Sequence, residues 1–564
     1  MIARKADLAL VNGRVFLGLE EGVAEALAVA GGRVIAAGSD DAVAGLIGPA
    51  TQVIDLAGRL AAPGLCDAHL HLLPVGLGMA EVDVRPRRVR TLEGLLKKIR
   101  ERVAASRPGE WIVARGYDQS RLDVRRHPLR HELDAVAPAN PVHLVRACGH
   151  VSVANSAALA RAGIDEATPA PPGGAIEIRD GRLTGLLAES ARDMIRAVLP
   201  PATDADLAAA IERAGRHCLS LGITSVMDAA VGKKVGFHEV EAYWAAHRAG
   251  RLPVRASLCL IGGPKGIADR ADAEGLVTGA GDDRLAIGPA KLFVDGSAGA
   301  RTAAMSEPYV GEPSNRGMLC LETAELNALV RDYHAKGWRL AVHAIGDRAI
   351  DRVLDAYAAA LAERPDPDRR HRIEHCSFVR PDQIARMARL GVHPVSQPVF
   401  VHEYGELYVS ALGPERTAAS HPMRSWIDAG LKPAASTDGP VSGIDPFPNL
   451  YAMLARRSSA GTPLGLDEAL TMPEALTAYT EHGAFVSGAE GRRGRLAPGL
   501  DADVAVFSRD LLAASPEEVL HDARCDLTIL DGEVVFDRHG EAGRPFRGVA
   551  VEARGRRARR IAAR

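Results

Sequence analysis

Two histidines one residue apart, His69 and His71, close the run Pro63-Gly64-Leu65-Cys66-Asp67-Ala68-His69-Leu70-His71. On an extended strand residues i and i+2 face the same side, so both imidazoles would open onto one small volume. Imidazole is the commonest protein ligand of zinc-like ions, and two at a strand end make half of a coordination shell. A His-x-His pair also arises by chance, so it needs partners further along the chain. Four positions offer them, each a ligand-type or base-type residue after an apolar run. They are Lys291 (Ile287-Gly288-Pro289-Ala290-Lys291-Leu292-Phe293-Val294-Asp295-Gly296), His343 (followed by Gly346-Asp347-Arg348), His375 (Arg372-Ile373-Glu374-His375-Cys376) and Asp438 (Ala435-Ser436-Thr437-Asp438-Gly439).

Bringing these residues together requires a scaffold that aims strand ends at one place. Strand-like runs occur at 60–71, 222–228, 254–261, 286–294, 338–343, 372–376, 391–396 and 432–437, with helical patterns such as Thr323 to Lys336 and Pro381 to Leu390 between most of them. Eight strands in βα alternation predict an α/β fold, a (β/α)8 TIM-like barrel with its chemistry at the C-terminal strand ends. The first crossover is too long for one helix, so an insertion is expected at about 74–215, with strand-like pieces at 111–114 and 142–145 and a helix over 204–221. Short β-like runs also mark both chain ends, 1–62 and 486–550. Neither set suffices to bury a face alone, which predicts one small β-sandwich built from both ends around a barrel spanning 63–485.

The order His-x-His, Lys, His, His, Asp over such a barrel resembles the amidohydrolase superfamily of metal-dependent hydrolases. The blocks Lys291-Leu292-Phe293-Val294-Asp295-Gly296-Ser297-Ala298-Gly299-Ala300-Arg301-Thr302-Ala303 and Gly149-His150-Val151-Ser152-Val153-Ala154-Asn155-Ser156-Ala157-Ala158-Leu159 are similar to the branch containing N-substituted formamide deformylase and the YtcJ-like proteins. A divalent ion held by imidazoles lowers the pKa of bound water to about 7 and polarises a carbonyl. His69, His71, His343 and His375 are the expected neutral ligands. Asp438 is the expected ligand and general base that passes a proton to the leaving nitrogen. A protonated Lys291 would repel a cation; the resemblance implies a carboxylated lysine bridging two ions, and the alternative is an ordinary lysine paired with Asp295 or another acid. The expected cofactor is one or two divalent ions, zinc first, with manganese or iron as alternatives.

Other residues carry weaker expectations. His150 and Arg301 are candidate substrate contacts, with a structural histidine and a solvated arginine as the plain alternatives. Glu374 should face away from His375 and support packing or the ligands; Asp347 and Arg348 should cap a helix and pair. Asp67 could share the face of His69.

The composition excludes several classes. With 564 residues, 47% hydrophobic, 25% charged and a formal net charge of −2, the chain has no field that would favour nucleic acid, and no stretch is long and apolar enough for a bilayer. Seven scattered cysteines without C-x-x-C spacing read as reduced thiols of a cytoplasmic protein, and the first residues lack a signal-peptide core. The arginine-rich 551–564 reads as a disordered solvated tail. The expected function is metal-dependent hydrolysis of a C–N bond in a non-peptide amide, formamide or cyclic amide, with a small-molecule amide as partner and homo-oligomerisation left open. An esterase or lactonase is the alternative enzyme, and a non-catalytic binding barrel the alternative class.

Overall fold

The structure, a computed structural model, describes residues 5–540 apart from residue 87; the expected tail 551–564 and the stretch 541–550 lie outside the described residues. Eight parallel strands follow one another in order around a barrel: β1 (Leu65–Leu70), β2 (Ile223–Val231), β3 (Arg255–Ile261), β4 (Leu285–Phe293), β5 (Leu340–Ala344), β6 (Arg372–His375), β7 (His393–Ser396) and β8 (Ala434–Ala435). β1, β6 and β7 are buried along their whole length, as a parallel sheet covered by helices requires. Helices return the chain between strands; Pro381–Leu390, for example, starts with proline in its first turn and ends at Gly391 with φ 64°.

The barrel is sealed at the catalytic-type ends of β1 and β8. The Asp438 N–H donates to His69 O at 2.8 Å, and the His71 N–H to Gly439 O at 2.7 Å. Beneath them the Asp67 carboxylate accepts from Thr437 N at 3.2 Å and Thr437 Oγ1 at 2.5 Å. Asp67 is therefore a clasp across the seam, and its Oδ1 also accepts from the His69 N–H at 3.2 Å.

The run expected as one strand over 60–71 is two. Leu60–Pro63 belongs to a six-stranded sheet, where it lies between Arg14–Gly18 and Val504–Phe507, while Leu65–Leu70 enters the barrel. Gly64 makes the change of sheet: a Cβ there would lie 2.2 Å from Thr224 Oγ1, so only glycine fits. A four-stranded sheet (Leu8–Val11, Ala26–Ala30, Arg33–Gly38, Gln52–Asp55) shares an apolar cluster with the six-stranded one, in which Leu8, Leu27 and Val29 meet Val15, Val504 and Ile529. Arg255, at the start of β3, ties this region to the barrel through Asp503 at 2.7 Å and through Asp531.

Gly76–Ala210 forms a separate compact unit. Its six-stranded sheet includes Ile112–Tyr117 and Val142–Arg146, near the expected strands, and antiparallel strands Val151–Ala154, Gly174–Arg179 and Arg182–Glu189 that periodicity did not mark. Leu95, Ile99, Leu133, Leu144 and Val153 fill its core.

Arg255 and Asp503 are both buried, so Arg255→Met should strand a carboxylate and lower the unfolding free energy by about 3–5 kcal/mol, measured by denaturant titration. Burial works to raise the Asp503 pKa, but Arg255 holds it below the usual carboxylate value. Its contribution to stability is thus complete above the unfolded pKa of about 4 and is lost as pH falls through the lowered folded value, so the difference between the two proteins should shrink in acid.

Candidate metal centre

At the C-terminal strand ends the four expected histidines form a continuous file. Ring centroids are 5.6 Å apart for His71 and His69, 4.9 Å for His69 and His375, and 4.4 Å for His375 and His343. Ligand atoms of His69, His375 and Asp438 all lie within 4.8 Å of one another. Asp438 Oδ1 stands 3.1 Å from His71 Nε2 and 3.5 Å from His69 Nε2, yet it is buried and accepts no well-aligned hydrogen bond. An acceptor left so beside imidazole nitrogens is what a cation site presents.

Partners behind the rings decide which nitrogen faces the cavity. His69 Nδ1 is held by Glu374 Oε2, which leaves Nε2 forward. His375 Nδ1 is held by Gln397 Oε1 at 2.8 Å, again leaving Nε2. His343 is reversed: its Nε2 meets Gly296 O at 3.0 Å, so Nδ1 is the free lone pair. Gly296 is itself positioned by Asp295, whose carboxylate accepts from the N–H groups of Ala304, Ile345 and Gly346 at 2.9–3.0 Å.

Glu374 does not face away from the site. It sits inside the barrel, chelated by Arg372, whose Nη2 also reaches Ala68 O at 2.7 Å. Strand alternation would then send His375 outward, but His375 and Cys376 adopt φ of 67° and 49°, and the chain turns so that the imidazole returns to the cavity. Asp438 has φ 56°, a second left-handed residue among the site's side chains. Such conformations cost of order 1–3 kcal/mol each and persist only where the surroundings impose them.

Electrostatics keeps His69, His343 and His375 neutral, as metal ligation requires. Burial, reinforced by the Lys291 charge, pushes His69 down to about 4 and His343 down to about 3, and burial also takes His375 well below its ordinary value. For Asp438, burial works upward, but His71, His69 and Lys291 bring the carboxyl below its usual range. Lys291 is 1% exposed, and burial lowers its pKa. Asp295, occupied by three backbone N–H groups, is not its partner, and among the described residues no carboxylate lies within ion-pair distance of its Nζ. The imidazole nitrogens and the unbonded Asp438 oxygen fit a divalent cation.

Two expected contacts stand differently. The Arg301 guanidinium binds Glu312 at 2.6 Å and Val310 O at 2.9 Å, holding its own loop instead of offering a free substrate anchor. His150 is exposed on the 76–210 unit and pairs with Glu189 at 2.9 Å. Asp347 does not pair with Arg348: it accepts from Ser306 N at 2.7 Å and meets Arg380 at 3.2 Å. Gln397 carried no signal, since its role depends on the turn after β7.

A model of the amidohydrolase family matches residues 52–536. The chain is 31% identical to YtcJ of Bacillus subtilis over 537 residues, covering 93% of this chain and 99% of that protein. It is 32% identical to the N-substituted formamide deformylase of Arthrobacter pascens over 546 residues, covering 95% and 99%. A crystal structure of an uncharacterized metal-dependent hydrolase from Pyrococcus horikoshii superposes with a TM-score of 0.73 at 30% identity, covering 90% of this chain and 99% of that one.

Because Glu374 and Gln397 set imidazole orientation, Glu374→Gln and Gln397→Leu should each weaken metal affinity by about 10–100-fold in a competitive chelator titration. Only Glu374→Gln leaves Arg372 as an uncompensated buried cation, and it should therefore also cost about 3–5 kcal/mol of stability.

Proposed function

The chain belongs to the amidohydrolase family, and from that premise we propose that it hydrolyses the C–N bond of a small non-peptide amide, formamide or cyclic amide at the centre built from His69, His71, His343, His375 and Asp438. The observation that carries this is the convergence of His69 Nε2, His375 and the unbonded Asp438 oxygen within 4.8 Å. The formamide deformylase relative supports an amide or formamide over an ester.

A bound divalent cation supplies Lewis acidity toward the substrate carbonyl and brings the pKa of water to about 7. His69 and His71, with His375 through Nε2 and His343 through Nδ1, would hold it, zinc being the first choice for such a set. Asp438, with its carboxyl below the usual range, is ionised at neutral pH and free to accept a proton. It accepts that proton from the attacking water and returns it to the departing nitrogen, so that an amine leaves. Lys291 has a lowered pKa and no acid partner, which brings its neutral form within easier reach. Its Nζ lone pair can attack carbon dioxide, forming an N–C bond and releasing one proton, and the resulting carbamate would supply an anionic oxygen ligand. A small-molecule substrate is the proposed partner; among the described residues no helix is long and apolar enough to cross a membrane.

The test pairs elemental analysis with a panel of N-substituted formamides, simple amides, cyclic amides and esters of the same acyl groups. Amide or formamide turnover should exceed ester turnover, and Asp438→Asn should reduce kcat by about 100-fold or more, with metal content measured alongside. Lys291→Ala should lower the metal content per chain, measured by the same elemental analysis. A protein that holds no divalent metal after loading, or that cleaves only the esters, would refute the proposal.

A further inference from the structure

A cavity of about 370 Å³ lies among the first residues of the barrel strands, at the end opposite the histidines, and Ser225, Arg255, Ser257 and Arg339 contribute to its wall. The carboxylates on that wall each have a cationic or imidazole partner. Asp282 meets His247 at 2.7 Å, Asp283 meets Arg492, Asp501 meets Arg33 at 2.6 Å, and Asp503 meets Arg255 at 2.7 Å.

Arg339 is different. It is 9% exposed, and among the described residues no carboxylate lies within ion-pair distance of it. Its Nε donates to Arg369 O at 3.1 Å and its Nη1 to Val486 O at 3.1 Å, which leaves Nη2 without an acceptor. A Cβ on Gly488, another wall residue, would come within 3.2 Å of Nη2, so the missing side chain keeps that edge of the guanidinium open. Ser225 and Ser257, on the neighbouring starts of β2 and β3, have hydroxyls with no hydrogen-bond partner among the described residues. A buried guanidinium is costly without a counter-charge, and here it fronts space large enough for one.

We propose that this cavity binds a small oxyanion, a phosphate or a carboxylate, anchored on Arg339 Nη2 with the Ser225 and Ser257 hydroxyls as further donors. Charge-assisted donors in a recess are the usual means of holding such groups. The site lies at the opposite strand ends from Asp438 and does not depend on the hydrolytic reading.

The experiment is thermal melting of the metal-loaded full-length protein with inorganic phosphate in one arm and succinate in the other, each against sodium chloride at equal ionic strength. The expected result is a saturable rise, about 1 °C at tenfold excess over the dissociation constant. A rise with phosphate alone identifies a phosphate ligand, and one with succinate alone a carboxylate. Arg339→Gln should abolish the rise. Gly488→Asp should abolish it too, because Asp tolerates the left-handed backbone there (φ 75°) and places a carboxylate beside Nη2 while keeping Arg339. If Arg339→Gln does not fold, Gly488→Asp decides alone. No rise with either anion, or a rise undiminished in Gly488→Asp, would overturn the proposal, the latter placing the anion elsewhere, as at the metal centre.

Discussion

The fully buried chain Arg372–Glu374–His69 is the interaction on which the centre depends. Arg372 neutralises Glu374, and Glu374 holds His69 Nδ1, fixing the imidazole that faces Asp438. Left alone, a carboxylate at that depth would take up a proton; burial works in that direction, and Arg372 together with His69 overcomes it. Arg372 also donates to Ala68 O, so the ion pair is anchored to the strand that carries His69. The charge pair and the ligand geometry are one structure, spread over two strands far apart in sequence.

Other parts of the site follow a similar logic, with ligand-type side chains held from behind. Gln397 holds His375, Gly296 O holds His343, and Asp67 clasps the segment that delivers Asp438. The left-handed turns at His375 and Asp438 belong to this scheme, because a regular strand could not present Glu374 and His375 to the same interior.

Much of this was legible in the sequence, for a definite reason. His69, His71, Lys291, His343, His375 and Asp438 each end an apolar run, and the parallel barrel turns that one-dimensional pattern into a ring of strand ends. What was hidden depends on backbone departures that periodicity cannot encode. Alternation put Glu374 on the wrong face because it assumed an extended His375. Continuity of the apolar run 60–71 concealed the change of sheet at Gly64, and Arg301 looked available because Glu312, its partner, lies across a turn. Gln397 could not be foreseen, since an amide near a strand end is an ordinary surface residue until its histidine is located.

The strand Leu60–Pro63 pairs with Arg14–Gly18 on one edge and with Val504–Phe507 on the other, and it runs through Gly64 into the strand bearing His69. During synthesis on a ribosome, the first of these partners emerges early and the second only after the entire barrel. Until then the nascent chain carries an open apolar ladder adjoining its most important histidines, the kind of exposed edge that recruits chaperones or sticks to a neighbouring copy. Completion of the sheet that leads into the first barrel strand is thus tied to a segment made only after the whole barrel.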